Sequence, residues 1–233
     1  VMSTVFLSLN DVGVRFKMSG AASSKGFFEP LKHINLDVRS GETLGVLGAN
    51  GAGKSTLLKI MSGALRPDFG HVINYGASVS LLALQAGFDA NLTGRDNAIF
   101  GGMLLGYRKK QVIERLDEVK DYSELGDFFD EPVRSYSTGM ASRLGFAIST
   151  VISPDVLLVD EVLSVGDAHF KKKAERTMMQ KIASGQTVVL VSHSKNQIAS
   201  LCDRCVILNK GEIISGTSVD EMLDRYDEII DAK

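Results

Sequence analysis

Gly48-Ala-Asn50-Gly51-Ala-Gly53-Lys54-Ser55 follows the apolar run Glu42–Leu47 and opens the helical run Lys54–Met61. The spacing satisfies G-x-x-x-x-G-K-[ST] at every fixed position, in the strand, turn and helix context that the pattern requires. Each residue type has a physical task. Glycines let successive backbone N–H groups turn inward around phosphate oxygens, and the following helix presents the positive end of its dipole. Lys54 supplies a point charge for the outer phosphates, the Ser55 hydroxyl is placed to hold Mg2+, and Thr56 stands beside it. The segment reads as a nucleotide cradle.

Further along, Val156-Leu-Leu-Val-Asp160-Glu161 is an apolar strand ending in two acids. Alone, such a pair is a solvated strand end or a helix cap. Behind a phosphate cradle, Asp160 can reach the Mg2+ shell and Glu161 can face the attacking water. Outward from these two anchors, period-two alternation predicts strands at Val5–Phe16 and Ile34–Val38, while KMSGAASSKGFFEP, from Lys17 to Pro30, has loop composition. A turn and strand follow at Pro67–Tyr75, and three-to-four spacing makes Arg95–Leu125 mainly helical. Helices at Gly139–Ile152, Ala168–Ala183, Lys195–Cys202 and Val219–Ile229 then alternate with strands at Val156–Val159, Thr187–Val191, Val206–Leu208 and Glu212–Ile214. Such alternation predicts an α/β fold with a mainly parallel core sheet flanked by helices.

Composition bounds the reading. At 233 residues with 44% hydrophobic and 23% charged side chains, the chain has length and apolar content for a large core, which excludes a disordered or fibrous chain. A formal charge of -2 gives no basic footprint for nucleic acid, so no nucleic-acid partner is expected. The longest apolar stretches, Ala98–Tyr107 and Leu144–Ile152, reach about half the length of a membrane-spanning helix, so anything that crosses a membrane here needs another chain. Cys202 and Cys205 form a lone C-x-x-C with no second pair, and a structural role is expected; His33, His71 and His169 lack ligand spacing and read as surface or packing residues.

Four more motifs carry a family resemblance. Ser135-Tyr-Ser137-Thr138-Gly139-Met140-Ala-Ser-Arg143 resembles the signature of ABC ATPases in degenerate form, with Thr138 where a glycine is common and Met140 where glutamine is common. A Ser hydroxyl and a glycine at a helix start can still grip a γ-phosphate. Ser164-Val-Gly-Asp167 resembles the D-loop, His193 the switch histidine, and Gln85, seven residues before Leu92-Thr-Gly94, the Q-loop glutamine. Phe16 is the choice for the aromatic that stacks on adenine, with Phe27 and Phe28 as alternatives. The resemblance implies the P-loop NTPase ABC ATPase fold as a single domain, 1–233. Its β-rich N-terminal part and core would span about 1–85 and 153–233, with an antiparallel β subdomain and a helical subdomain at about 88–150. It also implies ATP and Mg2+ as cofactors, catalysis by Glu161 and His193, and metal contacts from Ser55, Gln85 and Asp160. The nucleotide contacts would be Phe16, Gly48, Asn50, Gly51, Gly53, Lys54, Ser55, Thr56, Gln85, Ser137, Gly139, Asp160 and Asp167, completed by a second, head-to-tail copy.

Within that family, Gly87-Phe-Asp-Ala-Asn-Leu-Thr-Gly94-Arg95-Asp96-Asn97, Tyr136-Ser-Thr-Gly-Met140 and Asp160-Glu-Val-Leu-Ser-Val-Gly-Asp167 resemble the branch that exports cell-surface polysaccharides, from about Val5 to Tyr226. The expected partners are then a polytopic membrane permease subunit and, through it, a lipid-linked polysaccharide of O-antigen or capsule type. The expected place is peripheral, at the cytoplasmic face of the bacterial inner membrane. Teichoic acid, lipid or small-molecule cargo is the alternative. Some O-antigen exporters append a carbohydrate-binding β-sandwich, whereas this sequence stops seven residues after Tyr226. A soluble, non-transport ATPase of the same fold typically carries a long coiled-coil insertion, a tandem ATPase domain or a basic surface; none is in this sequence. A regulatory module without turnover fits poorly with Glu161 and His193 both present.

Overall fold

The computed structural model describes residues 4–17, 26–81, 87–160 and 167–231. Gln85, Glu161 and residues 18–25 of the long loop lie outside them. Two compact units form: Val1–Ala77, Leu158–Glu161 and Gly185–Lys233 make the first, and Ser78–Leu157 with Val162–Ser184 make the second.

The first unit contains an antiparallel sheet of β1 (Val5–Lys17), β2 (Phe27–Arg39) and β4 (Phe69–Asn74), in the order β2-β1-β4. Alternation buries Leu7 and Leu9 on β1 and Leu36 and Val38 on β2. The β1–β2 ladder slips register at four places, and Asp11 and His33 turn left-handed, with φ 53 and 49. The two side chains meet there, His33 Nδ1 standing 2.7 Å from Asp11 Oδ1. β2 starts earlier than its composition predicts. Phe27 and Phe28 pair with Lys17 and Phe16, so an aromatic pair across the ladder converts Phe27–Pro30 from loop to strand.

The core sheet of this unit runs β6 (Val156–Asp160, from Leu158 on), β7 (Thr187–Ser192), β3 (Thr43–Leu47), β8 (Arg204–Asn209) and β9 (Glu212–Ser215). β3 pairs in parallel with both β7 and β8, and every residue of β3 and β7 is buried, as central parallel strands covered on both faces require. β9 returns antiparallel to β8 through a Lys210-Gly211 turn, with φ 50 and 85. Helices α1 (Lys54–Met61), α7 (Lys195–Leu201) and α8 (Val219–Asp231) belong to this unit; Ile198 of α7 and Met222 and Tyr226 of α8 are buried. A Cβ at Gly45 would stand 2.9 Å from Cys202 Sγ and Ile198 Cδ1, so glycine is what admits α7 this close to β3.

The second unit holds α2 (Gly94–Leu104), α3 (Lys109–Ile113), α4 (Leu116–Ser123), α5 (Thr138–Val151) and α6 (Ala168–Ala183). It also holds the start of β6 and a three-residue strand, β5 (Val79–Leu81), beside it. The long helical stretch predicted from Arg95 to Leu125 is three helices, the first closed by Gly106 with φ 91. Ala98, Val112, Val119, Phe129, Leu144 and Ile148 form the centre of its core. The rings of Tyr122, Phe146 and Phe170 stand 6.0 Å apart, and Lys173 lies over Tyr122 at 4.5 Å, donating to the Tyr122 carbonyl and the Glu124 carboxylate. α6 thus belongs with the helices and the start of β6, and not with β7, which follows it in sequence.

Candidate functional site

The turn from β3 into α1 borders a cavity of about 700 Å³ in the first unit, lined by Phe28, Pro30, Asn50, Gly51, Gly53, Lys54, Ser55, Thr56 and Asp160. Its shape follows from two glycines. Gly51 and Gly53 take φ 78 and 108, a region that costs any residue with a Cβ. A Cβ at Gly53 would also overlap the Pro30 carbonyl, so β2 can lie directly against the cradle only because residue 53 is glycine. At Gly48 a Cβ would stand 2.6 Å from the Leu208 carbonyl, which anchors the start of the turn beneath β8.

α1 starts at Lys54 behind Gly53, which makes no side-chain cap bond, and its first turn lines the cavity, so the positive end of its dipole lies at the site. Lys54 is 7% exposed, and its Nζ donates to the carbonyls of Gly48 at 2.8 Å and Ala49 at 3.1 Å. Those bonds hold the ammonium at the cradle's mouth. Ser55 and Thr56 supply hydroxyls, and Asp160, exposed at the end of β6, supplies a carboxylate on the same cavity. The donor set suits a triphosphate with a hard divalent cation: uncapped amides and an ammonium for anionic oxygens, a hydroxyl and a carboxylate for the metal.

Phe28 and Pro30 form the apolar end of the cavity. Residues two apart on a strand share a face, so the β2 segment that presses on Gly53 also presents the Phe28 ring. Phe16 stands opposite Phe28 on β1, 45% exposed, and is not among the lining residues. Neither Phe28 nor Pro30 stood in the first choice made from the sequence. The signal for them was the Phe27-Phe28 pair itself, combined with a cradle glycine that demands close backbone approach.

His193 is exposed just past β7, in the same unit, between Ser192 and Ser194. Ser192 Oγ donates to Gln197 Oε1 at 2.8 Å and accepts from Ser194 N at 2.9 Å, which fixes the turn that carries the histidine. In the second unit, Ser137 caps α5, its hydroxyl accepting from Met140 N at 3.2 Å, with Thr138 exposed and Gly139 half-buried. Asp167 caps α6, accepting from the amides of Phe170 and His169 at 2.9 Å each; these bonds, Phe170's first, hold its carboxyl below the usual range. Cys202 is half-buried and Cys205 buried, and burial pushes their thiols up to about 12 and about 11.

The family model described as ABC transporter matches residues 31–164. The chain is 38% identical over 196 residues to the O-antigen export system ATP-binding protein RfbB of Klebsiella pneumoniae, covering 84% of this chain and 80% of that protein. It is 42% identical over 200 residues to the protein of the same name from Myxococcus xanthus, covering 86% and 46%. With the teichoic acids export ATP-binding protein TagH of Listeria monocytogenes it shares 40% over 203 residues, 87% and 60%. The chain spans about half to two thirds of the length of most of these curated relatives. A dimeric ATP-binding cassette solved in a post-hydrolysis state with ADP and Pi has the same fold, with a TM-score of 0.72 at 22% identity over 91% of this chain and 98% of that one. The matched segment covers the cradle, the Asp160 strand and more than half of the sequence, and the chain belongs to the ABC transporter family.

Proposed function

We propose that this protein is the ATP-hydrolysing subunit of an exporter that moves lipid-linked cell-surface polysaccharide across the bacterial inner membrane. The observation that carries the ATP half is the cavity in which Lys54, Ser55, Thr56 and Asp160 converge on an uncapped helix start. The cargo half rests on the O-antigen and teichoic acid export proteins at 38–42% identity. The two units work as one ATPase domain, held peripherally at the cytoplasmic membrane face by a polytopic permease subunit. No helix among the described residues is long and apolar enough to cross a membrane itself.

In this reading Lys54 exchanges the Gly48 and Ala49 carbonyls for β- and γ-phosphate oxygens, and the amides of the cradle and α1 hold the remaining charge. Ser55, Gln85 and Asp160 would hold Mg2+, which when bound would offset charge on the phosphates. Phe28 offers a stacking face to the adenine. Glu161 orients and polarises the attacking water, and His193 steadies the γ-phosphate, so catalysis is positional and electrostatic. Ser137, Gly139 and Asp167 of a second copy close the site head to tail.

The test is Glu161→Gln in the native host. ATP turnover of the purified variant should fall at least about a hundredfold, as loss of a positioned base does. Surface polysaccharide should vanish while lipid-linked glycan accumulates inside. Lost turnover with an unchanged surface would keep the ATPase and remove the polysaccharide.

A further inference from the structure

Downstream of the Gln85 region, the chain is stitched to the segment that leads into α5. Arg134 N donates to Ala90 O at 2.8 Å, Val133 N to Leu92 O at 2.9 Å, and Gly94 N to Glu131 O at 3.2 Å, with Thr93 and Pro132 forming a bridge between them. Asn97, 2% exposed, consolidates one side. Its Oδ1 accepts from Asp89 N at 2.9 Å, and its Nδ2 reaches the carbonyls of Asp89, Leu92 and Thr93 at 2.9–3.3 Å. Tyr136 closes the other side. Its hydroxyl donates to Phe128 O at 2.6 Å and lies so near Gly94 that a Cβ there would overlap the phenol oxygen. Gly94 has no left-handed backbone to justify it, so the close approach of the Tyr136 hydroxyl, with the Phe129 carbonyl 2.9 Å away, is what excludes a side chain.

We infer that Tyr136 is a positioning residue whose hydroxyl, bonded to the Phe128 carbonyl and packed against Gly94, braces the Asp89–Gly94 clasp against the start of α5, so that Ser137 and Gly139 are presented in one place within the unit. The cap bond from Ser137 to Met140 orders one turn of backbone, but it cannot set the direction of the helix as a body. The phenol, one residue earlier and tied to two other segments, can. The inference rests on the proposed head-to-tail dimer, in which Ser137 and Gly139 meet the nucleotide of the other copy. The clasp makes two distant loops move together, and it touches nothing in the cradle that binds the copy's own nucleotide.

The experiment uses the full chain carrying Glu161→Gln, so that ATP is bound and kept, and reads two affinities. One is binding of a fluorescent ATP analogue to dilute monomer; the other is ATP-driven dimerisation by sedimentation. Tyr136→Phe should leave the first within about twofold and weaken the second about tenfold, the worth of one lost hydrogen bond. Gly94→Ala should weaken dimerisation as well, by pushing on the phenol. Combined with Tyr136→Phe, its added methyl no longer meets a hydroxyl, and what remains is the ring carbon at 3.3 Å and the Phe129 backbone carbonyl at 2.9 Å. Gly94→Ala should therefore weaken dimerisation less in Tyr136→Phe than in the parent. Unchanged dimerisation in Tyr136→Phe would overturn the inference, as would parallel loss of monomer binding, the mark of a general packing residue. Failure of the parent to dimerise on ATP would instead overturn the head-to-tail reading.

Discussion

At the scale of single residues, the cradle shows how one missing side chain organises a site. Gly53 lets the Pro30 carbonyl approach, Pro30 brings β2 to the cradle, and β2 places Phe28 on the cavity wall. Base stacking on an aromatic ring is worth about 1–3 kcal/mol and contributes equally to ground and transition states. Phe28→Ala should therefore raise KM for ATP about tenfold with kcat nearly unchanged. Phe16→Ala should change KM by about twofold, through lost support for Phe28 across the ladder. Steady-state kinetics decides between them, and the reverse order would return the stacking role to Phe16. Cradle residues and Asp160 were legible in the sequence because covalent spacing fixes them within one strand-turn-helix unit. Phe28 was not. Its position depends on strand pairing and on Pro30 lying against a glycine more than 20 residues away in the chain, and Gly-Ser composition masks a strand start.

At the scale of elements, Ser137 and Asp167 each cap a helix, a structural task beside the chemical one proposed for it. Ser137→Ala removes the α5 cap and should cost about 1 kcal/mol, or about 2–4 °C in melting temperature. Asp167 caps α6 as a carboxylate, and the Phe170 and His169 amides depress its folded pKa below the ordinary 3.8. A depressed folded pKa gives stability that is present above 3.8 and is lost as pH falls through the lower folded value. Asp167→Asn keeps an oxygen acceptor but cannot titrate, so its melting temperature should fall less steeply than the parent's from about pH 4 downward. Equal slopes in thermal melts across that range would show that the cap does not titrate with folding. The longer helices were legible from three-to-four spacing, since α5, α6 and α8 each bury a periodic face. The division of 95–125 into three helices was less so, because apolar period continues across two breaks of which Gly106 marks only the first. β5, three residues long, is too short to show a period at all.

At the scale of the whole molecule, the cradle belongs to the first unit, while Ser137, Gly139 and Asp167 belong to the second. If two copies join head to tail, each nucleotide is held by the first unit of one chain and the second unit of the other, and the two-fold axis makes both sites alike. That arrangement has a consequence that a site completed within one chain does not share. Lys54→Ala spoils the cradle, and Gly139→Asp, which puts a carboxylate at the α5 start facing phosphate, spoils the other half. Either variant alone gives a homodimer with two damaged sites and should turn over ATP at background rate. In a mixed dimer both lesions fall on one site, and the other site has an intact cradle and an intact α5 start. Random mixing makes about half the dimers mixed, each with one sound site in two, so equimolar mixing should restore roughly a quarter of the parent activity. The measurement is ATP turnover against mixing ratio, with a bell shape peaking at equal amounts. A flat line at background would mean either that both halves of a site come from the same chain or that one sound site cannot fire alone. Trapped ATP separates the two, because a mixed dimer with one sound site still retains one nucleotide when both chains also carry Glu161→Gln, and a dimer with both sites damaged retains none.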